Sequence, residues 1–291
     1  MFSNKIIIFA KCEISMKKSI YIYLYISLTI SLNGQVINNQ ELDKMEGIKR
    51  NTSFKLEEIK VRWKKAALEN CLGLPCSSFT CGTSTITDID NNTYSTVSIG
   101  TQCWTSTNLK VTKYNDGTLI GDSTNSTWGT SVIGARTGYD VRVVPLSDYV
   151  GTFGYLYNWY AVSDTRKLCP EGWHVPTDSD WNKLVKYIHS VADTTGLATQ
   201  STSAGTNLKE NNALWNPNRG TNTSGFSGLP GGFRDNVGSF FNIRLIALFW
   251  SATQNGASNS AWYRNLYSSS GDVYRGDTIK SFGASVRCLR D

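Results

Sequence analysis

The sequence predicts an α+β fold, loop-rich with short antiparallel strands. Three observations carry this. From Ser77 onward, short β-rich runs are broken by Gly, Asn, Asp, Ser and Thr, the texture of a turn-rich mixed domain. Within that region one stretch, Asp178 to Ser190, has clear helical periodicity. Aromatic content of 12%, with 25 glycines and only six prolines in 291 residues, supplies enough rings to fill a core.

The organisation follows in chain order. Residues 1–34 read as a signal peptide region, with Met16 the better start. Lys17 and Lys18 form a positive n-region, Ile20 to Ile30 an apolar run, and Ser31, Asn33 and Gly34 a small, polar exit. The apolar run falls short of the roughly 20 residues of a membrane span, and no later segment is uniformly apolar. No cysteine directly follows it, which speaks against a lipid-modified cysteine anchor. Residues 35–76 form an N-terminal amphipathic helix and linker. Ile59, Trp63, Ala66, Ala67 and Asn70 make a helical stripe, and Gly73 and Pro75 end it. Residues 77–291 are then one domain. In its helix, Thr177 serves as N-cap and Asp180 reaches back as in a capping box, while Trp181, Leu184, Val185 and Ile188 share one face that should bury against a sheet. Strand-like runs near 153–161, 248–253, 261–267 and 284–289 supply that sheet. Trp104, Trp159, Trp173, Trp250 and Trp262 read as core.

Of seven cysteines, Cys12 leaves with the leader, and Cys71, Cys76, Cys81, Cys103, Cys169 and Cys288 remain. An even number in an exported chain points to disulfides, whose pairing spacing alone leaves open. The competing reading, a zinc site from Cys71, Cys76, Cys81 and Cys103, lacks the usual close-spaced pairs and partner histidines. The net charge of +6 falls to +3 once four leader lysines and one glutamate are removed. The remaining basic residues are scattered, which excludes a nucleic-acid-binding face.

The runs DIDNNTYSTVSIGTQCWTSTNLKVTKYNDGT (88–118), GTFGYLYNWYAV (151–162), LCPEGWHVPTDSDWNKL (168–184), GFSGLPGGFRD (225–235), FWSAT (249–253), AWYRNLY (261–267) and GASVRCLRD (283–291) together resemble the Fibrobacter succinogenes major paralogous domain, over roughly residues 80–291. The resemblance implies a C-type-lectin-like domain of an exported or surface protein of the Bacteroidetes type. It also implies pairing of Cys169 with Cys288, since such domains join a cysteine near the first helices to one in the last strand. Cys81 would then pair with Cys103, leaving Cys71 with Cys76.

The function expected is that of a secreted or cell-surface binding module for a glycan or protein ligand, with no catalytic group, cofactor or metal. Calcium-dependent lectins of this fold use carboxylate-and-amide ligand sets, which are missing here. Trp215, Asn216 and Asn218 in the loop LWNPNRG, and Arg234 and Asp235 after LPGG, are the candidate ligand-binding residues, weighed against an ordinary turn and a structural ion pair. The alternatives are a purely structural surface protein and a copper oxidase of the formylglycine-generating type, which VPTDSDW and GGFRD loosely resemble. Such an oxidase needs two free thiolates for Cu(I), and Cys288 is expected to be committed to Cys169. Neither His174 nor His189 has a neighbouring serine or cysteine in a recognisable nucleophile setting.

Overall fold

The chain divides into Met1–Ser78 and Phe79–Asp291. The structure, a computed structural model, describes residues 79–122, 128–139, 148–218, 220–256 and 258–291. The signal peptide, the N-terminal amphipathic helix and the Cys71–Cys76 pair lie outside the described residues.

The described part is mainly β with a few short helices. In chain order it runs β1 (Thr85–Thr87), β2 (Thr93–Ile99), β3 (Gln102–Thr105), β4 (Gly121–Asp122), β5 (Ala135–Thr137), α1 (Tyr149–Phe153), β6 (Leu156–Tyr157), α2 (Trp159–Val162), β7 (Trp173–His174), α3 (Asp178–Ile188), β8 (Ala198–Ser201), α4 (Ala204–Leu208), β9 (Phe233–Arg234), β10 (Phe240–Phe241), β11 (Ile246–Gln254), β12 (Ser260–Tyr267), β13 (Val273–Ile279) and β14 (Leu289–Arg290). The strands form sheets of order β1-β2-β3-β14-β7, β11-β12-β13-β8, β4-β5-β6 and β10-β9. All pairings are antiparallel except β4 with β5.

Helix α3 forms as the sequence requires. The Thr177 side chain accepts from the Asp180 amide, and the Asp180 carboxylate accepts from the Thr177 amide, so two amides left over at the helix start are satisfied reciprocally. Trp181, Leu184 and Val185 are buried and Ile188 partly so, in one cluster with Ala247 and Phe249 of β11 and Leu266 of β12. Trp104, Trp181, Phe226 and Phe249 meet there with ring centroids 5.0–5.8 Å apart.

The run 153–161 is not a strand. Asp148 caps α1 by accepting from the Gly151 amide, Asn158 caps α2 by accepting from the Ala161 amide, and only Leu156 and Tyr157 between them are extended. Local side-chain capping by Asp and Asn competes with strand formation. Runs 248–253 and 261–267 lie within β11 and β12. Run 284–289 joins its neighbours through single bridges at Ala284 and Ser285 before β14. Trp104, Trp159, Trp173 and Trp250 are buried. Trp262 is only half-buried, its ring covered by the Arg275 guanidinium at 3.5 Å.

Cys81 is bonded to Cys103 and Cys169 to Cys288, each with 5.8 Å between Cα atoms. The Cys81–Cys103 bond removes two of the four sulfurs of the zinc alternative. Disulfides of this kind fit an oxidising, extracellular environment. No helix among the described residues is long and apolar enough to cross a membrane.

Candidate functional site: a tyrosine-lined sheet face

Strand alternation divides the β11-β12-β13-β8 sheet into two faces. Ala247, Phe249 and Leu266 point to α3. On the other face, directly opposed pairs fix the layout: Ile246 with Tyr267, Leu248 with Asn265, Trp250 with Tyr263, Tyr263 with Gly276, Asn265 with Tyr274, and Tyr274 with Thr199. One row across the sheet therefore reads Leu248, Asn265, Tyr274, Thr199, flanked along β12 by Tyr263 and Tyr267.

Leu248 and Trp250 are fully buried, whereas Tyr263, Tyr267 and Tyr274 are half-buried and Thr199 is exposed. The Tyr274 ring lies 6.5 Å from that of Tyr263 and 6.4 Å from that of Tyr267. Gly276 is what lets Tyr263 lie down on the sheet, for a Cβ there would sit 2.5 Å from its hydroxyl oxygen and 2.6 Å from Cζ. Burial pushes the Tyr263 phenol up to about 12, helped by Tyr267 and Tyr274, so it stays a protonated donor at neutral pH.

Asn265 sits among these rings at 6% exposure. Its Nδ2 donates to the Tyr267 hydroxyl at 3.3 Å, while its Oδ1 is buried with no hydrogen-bond partner. A buried, unpaired amide oxygen costs about 1–3 kcal/mol, and buried polar groups are paired in the great majority of cases. Phe233 borders the same region. It stacks on Phe241 and Phe282 at 5.8 Å each and, with Ile246 and Tyr263, packs against the buried cluster that holds Leu248 and Trp250.

The residues expected to bind ligand fall elsewhere. Trp215 is 2% exposed, inside the α3-side cluster, with its indole N–H donating to the Gly228 carbonyl at 2.9 Å. The exposed loop aromatic expected there is thus a core residue, held by Ala247, Phe249 and Leu266 from strands remote in sequence. Asn216 and Asn218 are exposed around a cis Asn216–Pro217 bond, and the Asn216 amide is tied to the Arg244 carbonyl at 3.1 Å. Arg234 is 1% exposed. It donates from Nε to the Gly238 carbonyl at 3.0 Å and lies over the Trp128 and Phe240 rings, so a projection into a ligand cleft is corrected to a packed position. The half-buried Asp235 accepts from the Val237 and Ser239 amides, ordering the β9–β10 turn.

His189 does have a serine beside it, for Ser201 Oγ lies 2.9 Å from Nδ1. That oxygen also accepts from the Ser203 and Ala204 amides and is buried, which makes it the anchor of α4. His174 lies between Asp291 at 2.6 Å and Asp180 at 3.4 Å. No group of three or more His, Cys, Asp or Glu suited to a metal occurs among the described residues.

The other polar cluster is structural. Asp178, at the first position of α3, takes hydrogen bonds from Arg264 Nη1 at 2.8 Å and from Arg275 Nε and Nη2 at 3.0 and 2.8 Å. Burial raises the Asp178 pKa, but the hydrogen bond from Arg275 and the charge of Arg264 outweigh it and leave the pKa below its usual 3.8. A depressed folded-state pKa stabilises the fold above the unfolded value and loses that contribution as pH falls through the folded one. Asp178→Asn is therefore expected to cost about 3 kcal/mol near neutral pH, with the deficit against wild type shrinking below about pH 4. Urea midpoints from pH 7 to 2.5 check this, and a deficit that does not change with pH contradicts it.

The sequence signal for the tyrosine face was present in AWYRNLY, where Ala261, Tyr263, Asn265 and Tyr267 alternate with Trp262, Arg264 and Leu266. The family model of the Fibrobacter succinogenes major domain matches residues 97–290. No curated protein and no solved structure matches the chain.

Proposed function

The chain belongs to the Fibrobacter succinogenes major domain family, and we propose that it is an exported, non-catalytic binding module that holds a glycan or protein ligand at the cell surface or outside the cell. The observation that carries this reading is the tyrosine-lined face of β12 and β13, where the half-buried Tyr274 ring lies 6.5 Å from that of Tyr263 and 6.4 Å from that of Tyr267. Tyrosines combine a large, stiff apolar body with a polar tip and are favoured where a surface must recognise a partner. A C-type-lectin-like fold and removal of a signal peptide at the N-terminus belong to the same proposal. All four cysteines among the described residues are in disulfides, which argues against the copper oxidase alternative, since Cu(I) requires free thiolates.

The test is to apply the secreted full chain to glycan and peptide arrays. Saturable binding without turnover, lost in the Tyr263→Ala/Tyr274→Ala double variant, is the expected result. Binding that the double variant retains, or none on either array, overturns the reading.

A further inference from the structure

We propose that Asn255 is a self-modification site: in the folded chain its side chain is closed by the Gly256 nitrogen into a succinimide, releasing ammonia, and solvent water opens the ring to aspartate and isoaspartate. No residue of the tyrosine face takes part.

Asn followed by Gly occurs at Asn33 and at Asn255, and the second pair lies among the described residues. It opens the connection from β11 to β12, where Gln254 pairs with Ala261 and the Asn255 amide donates to the Ser260 carbonyl at 3.0 Å. Gly256 is exposed with φ at +53°, and a Cβ there would meet nothing within 4 Å. The backbone conformation calls for glycine. The same lack of a side chain leaves the Gly256 nitrogen open to approach the Asn255 side-chain carbon.

Both reacting groups are free. Neither the Asn255 side-chain amide nor the Gly256 N–H has a hydrogen-bond partner among the described residues, whereas the Asn255 main chain and the Gly256 carbonyl do. Being neighbours in the chain, the two groups react without the cost of bringing them together.

The Asn255 carbonyl gives this pair its particular chemistry. Before attack the Gly256 nitrogen must give up its proton, and the negative charge spreads through the peptide group onto the Asn255 oxygen. That oxygen already accepts from the Ser258 amide at 3.2 Å and from the Ser258 hydroxyl. Ser260 steadies Ser258, for its Oγ lies 2.7 Å from the Ser258 hydroxyl and donates to Asp277 Oδ2 at 2.6 Å. Two placed donors on an oxygen that gains charge on the way to the transition state favour the step, as they do in an oxyanion hole.

The steps balance with water alone. Hydroxide takes the Gly256 amide proton, the bond from nitrogen to Asn255 Cγ forms, the Cγ–Nδ2 bond breaks, and Nδ2 leaves as ammonia with a proton from water. Water then opens the ring at Cγ to give aspartate, or at the main-chain carbonyl to give isoaspartate. Either product places a new carboxylate at this end of the sheet, and isoaspartate also lengthens the β11–β12 connection by a backbone methylene.

The test is incubation of the folded full chain at neutral and at mildly alkaline pH, with peptide mapping of the Asn255 segment and methylation by an isoaspartyl methyltransferase. Conversion at Asn255 is expected, faster at the alkaline pH, with both aspartate and isoaspartate recovered. Asn255→Gln, which would have to close a larger ring, is expected to stay unmodified at an unchanged melting temperature. Ser258→Ala keeps the Asn-Gly pair but removes the hydroxyl donor, and is expected to slow conversion about fivefold, the weight of one ordinary hydrogen bond. Ser258→Thr keeps a hydroxyl and is expected to convert like wild type. In urea, where the hairpin is lost, wild type and Ser258→Ala are expected to convert at the same rate. The proposal is overturned if Asn255 stays an amide in the folded wild type at alkaline pH, whatever the variants do. It is also overturned if folded Ser258→Ala converts as fast as wild type, or if Asn255 Nδ2 instead attacks its own main-chain carbonyl and cleaves the chain before Gly256.

Discussion

Arg287→Ala is expected to abolish accumulation of folded protein. The guanidinium is completely buried and donates to the carbonyls of Thr105, Phe226 and Ser227 and to Asn108 Oδ1, at 2.6–2.8 Å. It also stacks on Phe226 at 4.4 Å, joining the last strand segment to β3 and to the 225–228 loop. Burial pushes its pKa down to about 9, still protonated at neutral pH. Removing the side chain orphans four acceptors at about 1–3 kcal/mol each, comparable with the roughly 5–15 kcal/mol that hold a domain folded. Arg287→Lys keeps the charge but loses the planar fork that reaches several acceptors at once, and should fall between wild type and alanine. The yield of folded protein and near-ultraviolet circular dichroism report the outcome. A folded alanine variant melting within about 5 °C of wild type would show that these contacts contribute little.

The second large effect is expected at the longer disulfide. Cys169 and Cys288 are 119 residues apart and Cys81 and Cys103 are 22 apart. In the chain-entropy model a loop of the first length stabilises by about 4–5 kcal/mol, and the shorter loop by about 1.5 kcal/mol less. Both cysteines of the longer bridge are buried, so Cys169→Ala/Cys288→Ala removes packed sulfur atoms along with the cross-link, which adds to the loss. Denaturant midpoints of the two double variants should place Cys169→Ala/Cys288→Ala well below Cys81→Ala/Cys103→Ala. The reverse order would mean that strain or packing at the bridges outweighs loop closure.

What was legible in the sequence was local. The α3 helix, its Thr177–Asp180 capping box and its apolar stripe all depend on residues within one or two turns of each other, and all are found as expected. The two disulfides followed from the family resemblance, not from spacing. Non-local packing decided the rest. Trp215 looked like an exposed loop residue because its partners Ala247, Phe249 and Leu266 lie more than thirty residues away. Arg287 is buried because distant rings and carbonyls receive it, and Arg234 because the distant Trp128 ring covers it together with the nearby Gly238 carbonyl and Phe240 ring. The tyrosine face was half-legible. The period-2 alternation in AWYRNLY separates Tyr263, Asn265 and Tyr267 from Arg264 and Leu266, but only the pairing of Asn265 with Tyr274 and of Tyr263 with Gly276 brings the rings together.

The central claim, that ligand is held on this face, is tested most directly by tyrosine-selective NMR. Ring resonances of the full chain, assigned through single Tyr→Phe variants, are followed while a glycan or peptide that binds on the arrays is added. The account predicts saturable shifts of the Tyr263, Tyr267 and Tyr274 rings along one common binding curve, with the buried Trp215 indole resonance unmoved. Shifts at Trp215 or its loop, with the three tyrosines unchanged at saturation, would contradict it.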